Sequence, residues 1–171
     1  MKQPFRVAIV GSASSGKTTL AQALAEQYGS PWVPEYLREF VEREQRVPVE
    51  DDQFHIATMQ VAREDAMAAQ SSRFLFCDTT PLMTAVYNRH YFGGLREDLA
   101  NLVASRQYDI TLVCDPDIPW IPDGLHREPE DVSGIIHEIL HEELASRAIP
   151  YSRIHGSLAE RIEQVKQLLG T

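Results

Sequence analysis

The stretch from Gly11 to Thr18 has the sequence GSASSGKT, in which two glycines separated by four residues precede a lysine and a hydroxyl side chain. It lies between an apolar run that predicts a strand and an Ala- and Leu-rich run that predicts a helix. Glycines permit close approaches that a Cβ would block, and the N–H groups of such a loop bind phosphate. The spacing G-x-x-x-x-G-K-[ST] predicts a nucleoside triphosphate site with contacts from Gly11, Ser14, Ser15, Gly16, Lys17, Thr18 and Thr19.

Within this loop, Lys17 is placed to reach the outer phosphates, and Thr18 to offer its hydroxyl to Mg²⁺. A second metal-side group is expected at the tip of a neighbouring strand, where Asp78 follows four apolar residues. Asp78 is equally suited to cap the helix that follows it, and the two roles are compatible. The next residue is Thr79 rather than an acid that would orient water, so transfer to a bound acceptor is favoured over hydrolysis. The sequence contains no N-K-x-D guanine-binding pattern, which favours ATP over GTP.

The acceptor hydroxyl needs a base or an orienting carboxylate, and Glu35 in the segment PEYLRE is the first candidate, with Asp78 as the second. Glu35 follows a short predicted strand, and in open α/β sheets that end faces the ligand crevice. The alternative is an exposed first-turn glutamate that stabilises the helix dipole. Arg38, one turn later, suits a phosphate or the substrate, and a surface salt bridge explains it equally well.

An acidic and aromatic rim is predicted after the fourth strand, where Asp115 and Asp117 precede Trp120 and Asp123. Such a rim suits a cationic ring through carboxylate attraction and cation–π contact. Three prolines between positions 116 and 123 exclude regular structure, so this segment is predicted to be a loop. In the alternative interpretation, Trp120 is a hydrophobic side chain that packs under this loop.

Two further patterns are interpreted as structural. The string HEILH, His137 to His141, matches a zinc-protease motif. This pattern arises by chance far more often than the phosphate-loop pattern does. We therefore interpret it as part of an amphipathic helix with Ile136, Ile139 and Leu140 facing inward. Cys77 and Cys114 lie on strands that are not neighbours in the predicted sheet, about 9–10 Å apart, too far for a disulfide.

Strands and helices alternate along the chain, which predicts a three-layer α/β domain with five parallel strands in the order 2-3-1-4-5. A lid is expected between Trp120 and Ser133. The predicted strands are 5–10, 32–35, 74–78, 109–115 and 151–154. The predicted helices are 18–28, 36–46, 51–72, 79–91, 95–106, 133–147 and 158–169.

With 171 residues, 43% hydrophobic content and 24% charged content, the chain fits one globular domain rather than a disordered or fibrous protein. The net charge of −9 argues against binding to nucleic acid or anionic lipid, and leaves room for a small anionic ligand. We expect a cytoplasmic protein with reduced cysteines, because there is no signal-peptide pattern and no run of about 18 apolar residues. The sequence does not specify an oligomeric state.

Several segments together resemble the ribosylnicotinamide kinase domain of the NadR type: GSASSGKTTL, PEYLREF, FCDTTPLMTAVY, YFG, YDITLVCDPDIPWIPDGL and IPYSRIHGSLAERI. The resemblance implies a nucleoside-monophosphate-kinase-like fold and transfer of the γ-phosphate of ATP to the 5′-hydroxyl of nicotinamide riboside. It implies that Lys17, Thr18 and Asp78 serve ATP and Mg²⁺. It places Glu35 near the acceptor hydroxyl, and the riboside near Tyr36, Asp117 and Trp120.

The chain departs from the family pattern in its lid, where DGLHRE puts His126 at the usual arginine position and Arg127 next to it. Either Arg127 acts as the catalytic lid arginine with a one-residue shift, which we expect, or the lid chemistry is weaker. The DNA-binding and adenylyltransferase parts of full-length relatives are not expected here, so the chain should neither bind operators nor make NAD. The alternatives to nicotinamide riboside kinase are another small-molecule P-loop kinase and a non-catalytic ATP-binding regulatory module.

Overall fold

The computed structural model describes residues 3–71, 73–118 and 130–171. Trp120, Asp123, His126 and Arg127 lie outside the described residues, as does most of the predicted lid. The strands are β1 (Phe5–Val10), β2 (Trp32–Val33), β3 (Phe74–Asp78), β4 (Ile110–Cys114) and β5 (Ser152–Ile154). The helices are α1 (Lys17–Tyr28), α2 (Tyr36–Glu44), α3 (Glu50–Ala68), α4 (Pro81–Phe92), α5 (Glu97–Ser105), α6 (Glu130–Ser146) and α7 (Leu158–Leu169).

The five strands form one parallel sheet in the order β2-β3-β1-β4-β5, which confirms the predicted topology. In the register, Ile9 of β1 lies beside Asp78 at the end of β3 and beside Leu112 of β4. The carboxyl ends of β1 and β3 therefore meet at one edge of the sheet. This edge holds the loop between β1 and α1 and the turn between β3 and α4.

Alternation along the strands divides the core between the two faces of the sheet. Val7 and Ile9 point to one face, where they pack with the apolar sides of α1 and α7. Val10 and Val113 point to the other face, where they pack with α4, α5 and α6. On that face α3 covers β3. Because both faces are covered, β1 is apolar along most of its length, and the three-layer prediction is confirmed.

Several boundaries differ from the predictions by one to four residues, and prolines explain two of the differences. β2 ends at Val33 because Pro34 has no N–H to continue a ladder. α4 begins at Pro81 rather than at residue 79, since proline favours the first helical turn and lacks a donor there. β3 and α7 match their predicted bounds.

The helical interpretation of HEILH is confirmed, because α6 contains it and buries Ile136 and Leu140 fully, with Ile139 half-buried against the same core. Cys77 and Cys114 are buried free cysteines on strands separated by β1, as predicted. Across the described parts of the chain, no helix combines the length and the apolar character needed to cross a membrane.

Candidate functional site

The loop between β1 and α1 is shaped by two glycines that cannot be replaced without rearrangement. A Cβ on Gly11 would lie 2.6 Å from Ser15 Oγ and 3.0 Å from the carbonyl oxygen of Cys114. Gly16 has φ +86°, a left-handed conformation that side chains rarely adopt, immediately before α1 begins at Lys17. The loop therefore passes close under the end of β4 and turns directly into the helix.

Lys17 is buried at the start of α1, and its Nζ donates a hydrogen bond of 3.0 Å to the carbonyl oxygen of Ser12. This contact folds the ammonium group back over the loop, where it is held beside the N-terminus of the helix. The hydroxyls of Ser12 and Ser15 are buried and have no hydrogen-bond partner among the described residues. Unpartnered buried polar atoms are few in folded proteins, so their concentration in this loop indicates a polar ligand.

Thr18 and Asp78 meet across the two strand ends, with Thr18 Oγ1 donating to Asp78 Oδ2 at 2.6 Å. The other oxygen, Asp78 Oδ1, is buried and makes no hydrogen bond within the described residues. A hydroxyl beside a carboxylate matches the oxygen ligands that Mg²⁺ prefers, so these two side chains fit the predicted metal role. The capping alternative for Asp78 is wrong, because Thr80 occupies the N-cap position of α4 and no side chain caps that helix.

The pKa of Asp78 depends on its burial and on the charges of its neighbours. The pKa of Asp78 is raised to about 6, mainly by burial and next by the negative charge of Glu35, whereas Lys17, Thr18 and Arg38 favour the ionised form. The influence of Glu35 shows that the two acidic side chains predicted for this site act on each other. A cation bound at Asp78 would favour the carboxylate more strongly still.

Glu35 and Arg38 lie in the same cleft as the phosphate loop, on the turn after β2 and the first turn of α2. The cleft is lined by Ala13, Ser14, Gly16, Lys17, Thr18, Thr19, Glu35, Arg38 and Tyr87. Glu35 occupies the N-cap position of α2, and its side chain makes no capping hydrogen bond, so its carboxylate is not engaged by the helix backbone. The structure therefore brings together Lys17, Thr18, Asp78, Glu35 and Arg38.

Tyr36 points away from this cleft into a contact between α2 and α3. Its side chain is 2% exposed and packs with Phe40 and Ile56. Its hydroxyl accepts a hydrogen bond of 3.2 Å from Arg43 Nη2, and the guanidinium of Arg63 lies 5.4 Å from the centre of its ring. The structure does not bring Tyr36 into the lining of the cleft, because helix packing takes up its side chain.

The predicted acidic rim is neutralised where the structure describes it. Asp115 forms a 2.7 Å ion pair with Arg153. Asp117 pairs with Arg161 and accepts a 2.7 Å hydrogen bond from the N–H of Gly156. These contacts hold the pKa of Asp117 below its usual value, against the opposing effect of burial. The Asp117 carboxylate is thus held by Gly156 and Arg161, and its predicted substrate role stays a prediction.

Comparison with known proteins assigns the chain to a protein family. The sequence pattern of the AAA domain family matches residues 6–161. The chain belongs to this family. It is homologous to the trifunctional NAD biosynthesis/regulator protein NadR of Salmonella typhimurium, with 25% identity over 174 aligned positions that cover 96% of this chain and 42% of the relative. The chain thus spans less than half the length of that relative.

Solved structures share the fold of this chain. A NadR protein in complex with NAD and AMP-PNP has a TM-score of 0.78 and 27% identity, covering 98% of this chain and 50% of that chain. A NadR protein in complex with NR has a TM-score of 0.77 and 26% identity, with the same coverage. The thymidylate kinase of Candida albicans shares the fold at a TM-score of 0.70 and 13% identity, covering 98% of this chain and 92% of that chain.

Arg161 is the main residue of this AAA-domain site that sequence reasoning missed. It lies on α7, is 2% exposed, and donates to the carbonyl oxygens of Ser15 at 2.5 Å, Asp115 at 3.0 Å and Gly156 at 2.9 Å. One guanidinium thus joins the phosphate loop, the end of β4 and the start of α7. The spacing of residues in α7 could have indicated that Arg161 is buried, because position 161 lies four residues before the buried Val165 and therefore on the apolar side of the helix.

Replacing Arg161 with methionine should lower the free energy of unfolding by roughly 3–5 kcal/mol, because it leaves the Asp117 carboxylate without its cation and three carbonyls without a donor. Urea denaturation measures this loss. Arg96→Met is the matched control, since it breaks a surface ion pair with Asp51 in which the two side chains are 48% and 92% exposed, and it should cost about 1 kcal/mol or less. Equal losses in the two variants would contradict the anchoring role of Arg161.

Proposed function

We propose that this protein is a nicotinamide riboside kinase, which transfers the γ-phosphate of ATP to the 5′-hydroxyl of the riboside and yields nicotinamide mononucleotide. The observation that carries the proposal is the convergence of Lys17, the Thr18–Asp78 pair and Glu35 in one cleft. Homology to NadR, whose structure is known in complex with NR and with AMP-PNP, supports the choice of both substrates.

ATP is assigned to the phosphate loop. The N–H groups of the loop and the Lys17 ammonium stabilise negative charge on the transferring phosphoryl group, and the unpartnered hydroxyls of Ser12 and Ser15 line the same turn. Mg²⁺, when bound by Thr18 and Asp78, supplies charge neutralisation on the phosphate oxygens. Arg127 as a lid arginine stays a prediction, since it lies outside the described residues.

The acceptor hydroxyl is assigned to Glu35. One oxygen of Asp78 is already engaged by Thr18, whereas Glu35 lies in the cleft on an adjacent turn with no capping role. Its carboxylate accepts the proton of the 5′-hydroxyl as the oxygen attacks the γ-phosphorus. Arg38, which follows in α2 and lines the same cleft, supplies positive charge beside the acidic pair.

A neutral nucleoside is the second candidate acceptor, and one observation favours it. Asp115 and Asp117 are both paired with arginines, so the attraction that a cationic nicotinamide ring would find at a bare acidic rim is reduced. The phosphoryl-transfer chemistry is the same for both acceptors, because it depends on the cleft and not on the rim.

The deciding experiment measures ADP formation from ATP and Mg²⁺ with nicotinamide riboside, uridine, cytidine, adenosine, thymidine or no acceptor. We expect nicotinamide riboside to stimulate turnover about tenfold or more over the neutral nucleosides, with nicotinamide mononucleotide as product. Omission of Mg²⁺ in the presence of EDTA is the control and should abolish the stimulation. Stimulation by a neutral nucleoside alone would replace the acceptor, and no stimulation by any would favour a non-catalytic ATP-binding module.

A further inference from the structure

The buried amide of Gln60 connects two turns that are separate in the sequence. Gln60 lies on α3 and is 3% exposed. Its Oε1 accepts a 2.8 Å hydrogen bond from the N–H of Tyr36, and its Nε2 donates to the carbonyl oxygens of Pro34 at 3.4 Å and Thr79 at 3.3 Å. We refer to these three hydrogen bonds as the Gln60 bridge. The bridge uses one acceptor position and both donors of the amide.

The two turns held by the Gln60 bridge carry the two acidic residues of the cleft. Pro34 and Tyr36 are the chain neighbours of Glu35, so the bridge holds the backbone on both sides of that residue. Thr79 follows Asp78 directly. The distance between the orienting carboxylate and the metal-side carboxylate therefore depends on an amide that belongs to neither turn.

Thr79 shows why the second turn needs such support. Its φ is +67°, a left-handed conformation that is uncommon for a β-branched residue. Its N–H donates to the carbonyl oxygen of Ile9 at 2.9 Å, and its carbonyl accepts from Gln60. Both backbone polar groups of the strained residue are thus satisfied from outside the turn, and strained backbone persists only where its surroundings determine it.

We infer that Gln60 is a positioning residue for phosphotransfer, which fixes the turn of Glu35 relative to the turn of Asp78 through its side-chain amide. This inference rests on the proposed kinase function. Gln60 does not line the cleft that contains Lys17 and the phosphate loop; it lines a small neighbouring cavity with Glu35, Thr79 and Tyr87. Its loss should therefore affect the chemical step and leave ATP binding intact, since displacement of a reacting group by about 1 Å can cost about 100-fold in rate.

The test compares Gln60→Met with wild-type protein, since methionine keeps the length of the side chain and removes all three hydrogen bonds. We expect kcat for acceptor-dependent ADP formation to fall roughly 10–100-fold while KM for ATP changes by less than about twofold. Hydrogen–deuterium exchange of the Tyr36 amide, which donates to Gln60 Oε1, should become faster.

Tyr108→Phe is the matched control, because it removes a buried hydrogen bond to the same helix, α3. The Tyr108 hydroxyl donates to the buried Glu64, four residues after Gln60 on α3, at 2.7 Å. This variant should lower the thermal midpoint, as Gln60→Met does, with kcat unchanged. An equal loss of kcat in both variants, or an unchanged kcat in Gln60→Met, would overturn the positioning role.

The exchange measurement separates this inference from the proposed function. If nicotinamide riboside does not stimulate the wild-type protein, the proposed acceptor fails, and kcat is measured with whichever nucleoside of the panel does stimulate. Unchanged exchange of the Tyr36 amide in Gln60→Met overturns the Gln60 bridge whatever the acceptor is.

Discussion

Lys17→Ala should lower kcat for acceptor-dependent ADP formation by about 1000-fold or more, because it removes the buried ammonium that stabilises charge on the transferring phosphoryl group. The fold should remain, since Lys17 makes no ion pair in the described structure and its ammonium group donates to the Ser12 carbonyl oxygen. Steady-state kinetics measure the loss, and urea denaturation should show stability equal to the wild type or higher.

Lys166→Ala is the control for this variant. Lys166 lies on α7 with a side chain 34% exposed, 3.9 Å from Glu163, so its removal should change neither kcat nor KM for ATP. Normal turnover in Lys17→Ala would reject the phosphate-loop mechanism as a whole. A loss of turnover in both variants would instead point to a general effect of removing positive charge.

Short sequence patterns predicted the phosphate loop and Asp78, because each of these features is specified by residues close together in the chain. The glycine spacing around Lys17 and the apolar run before Asp78 each carry their information within one strand and one turn. Strand–helix alternation then predicted the order 2-3-1-4-5, and this order brings the ends of β1 and β3 together. Contact between Thr18 and Asp78 follows from that topology, although the two residues are 60 positions apart.

The contacts that sequence reasoning missed join residues far apart in the chain through groups that belong to no motif. Arg161 donates to the Ser15 carbonyl across 146 positions and forms an ion pair with Asp117. Gln60 binds backbone atoms from two turns. Backbone carbonyls and N–H groups occur at nearly every residue, so their partners are set by tertiary packing and not by residue type.

The second large loss of kcat is expected from a change to Glu35, on the acceptor side of the site. Glu35→Gln should lower kcat about 100- to 1000-fold, because the amide keeps the size of the side chain and cannot take the proton of the acceptor hydroxyl. KM for ATP should stay within about twofold of the wild-type value, since the phosphate loop is carried by β1 and α1 and is unaffected.

Asp78→Asn separates the two carboxylates, which share the cleft and influence each other's charge. If Asp78 serves the metal, its amide variant should need more Mg²⁺ for half-maximal rate and recover much of its kcat at saturating Mg²⁺, whereas Glu35→Gln should not recover at any Mg²⁺ concentration. The reverse pattern, with Glu35→Gln active and Asp78→Asn inactive at saturating Mg²⁺, would transfer the orienting role to Asp78. That result would also reassign the Gln60 bridge, because the turn it holds beside Thr79 would then carry the base itself.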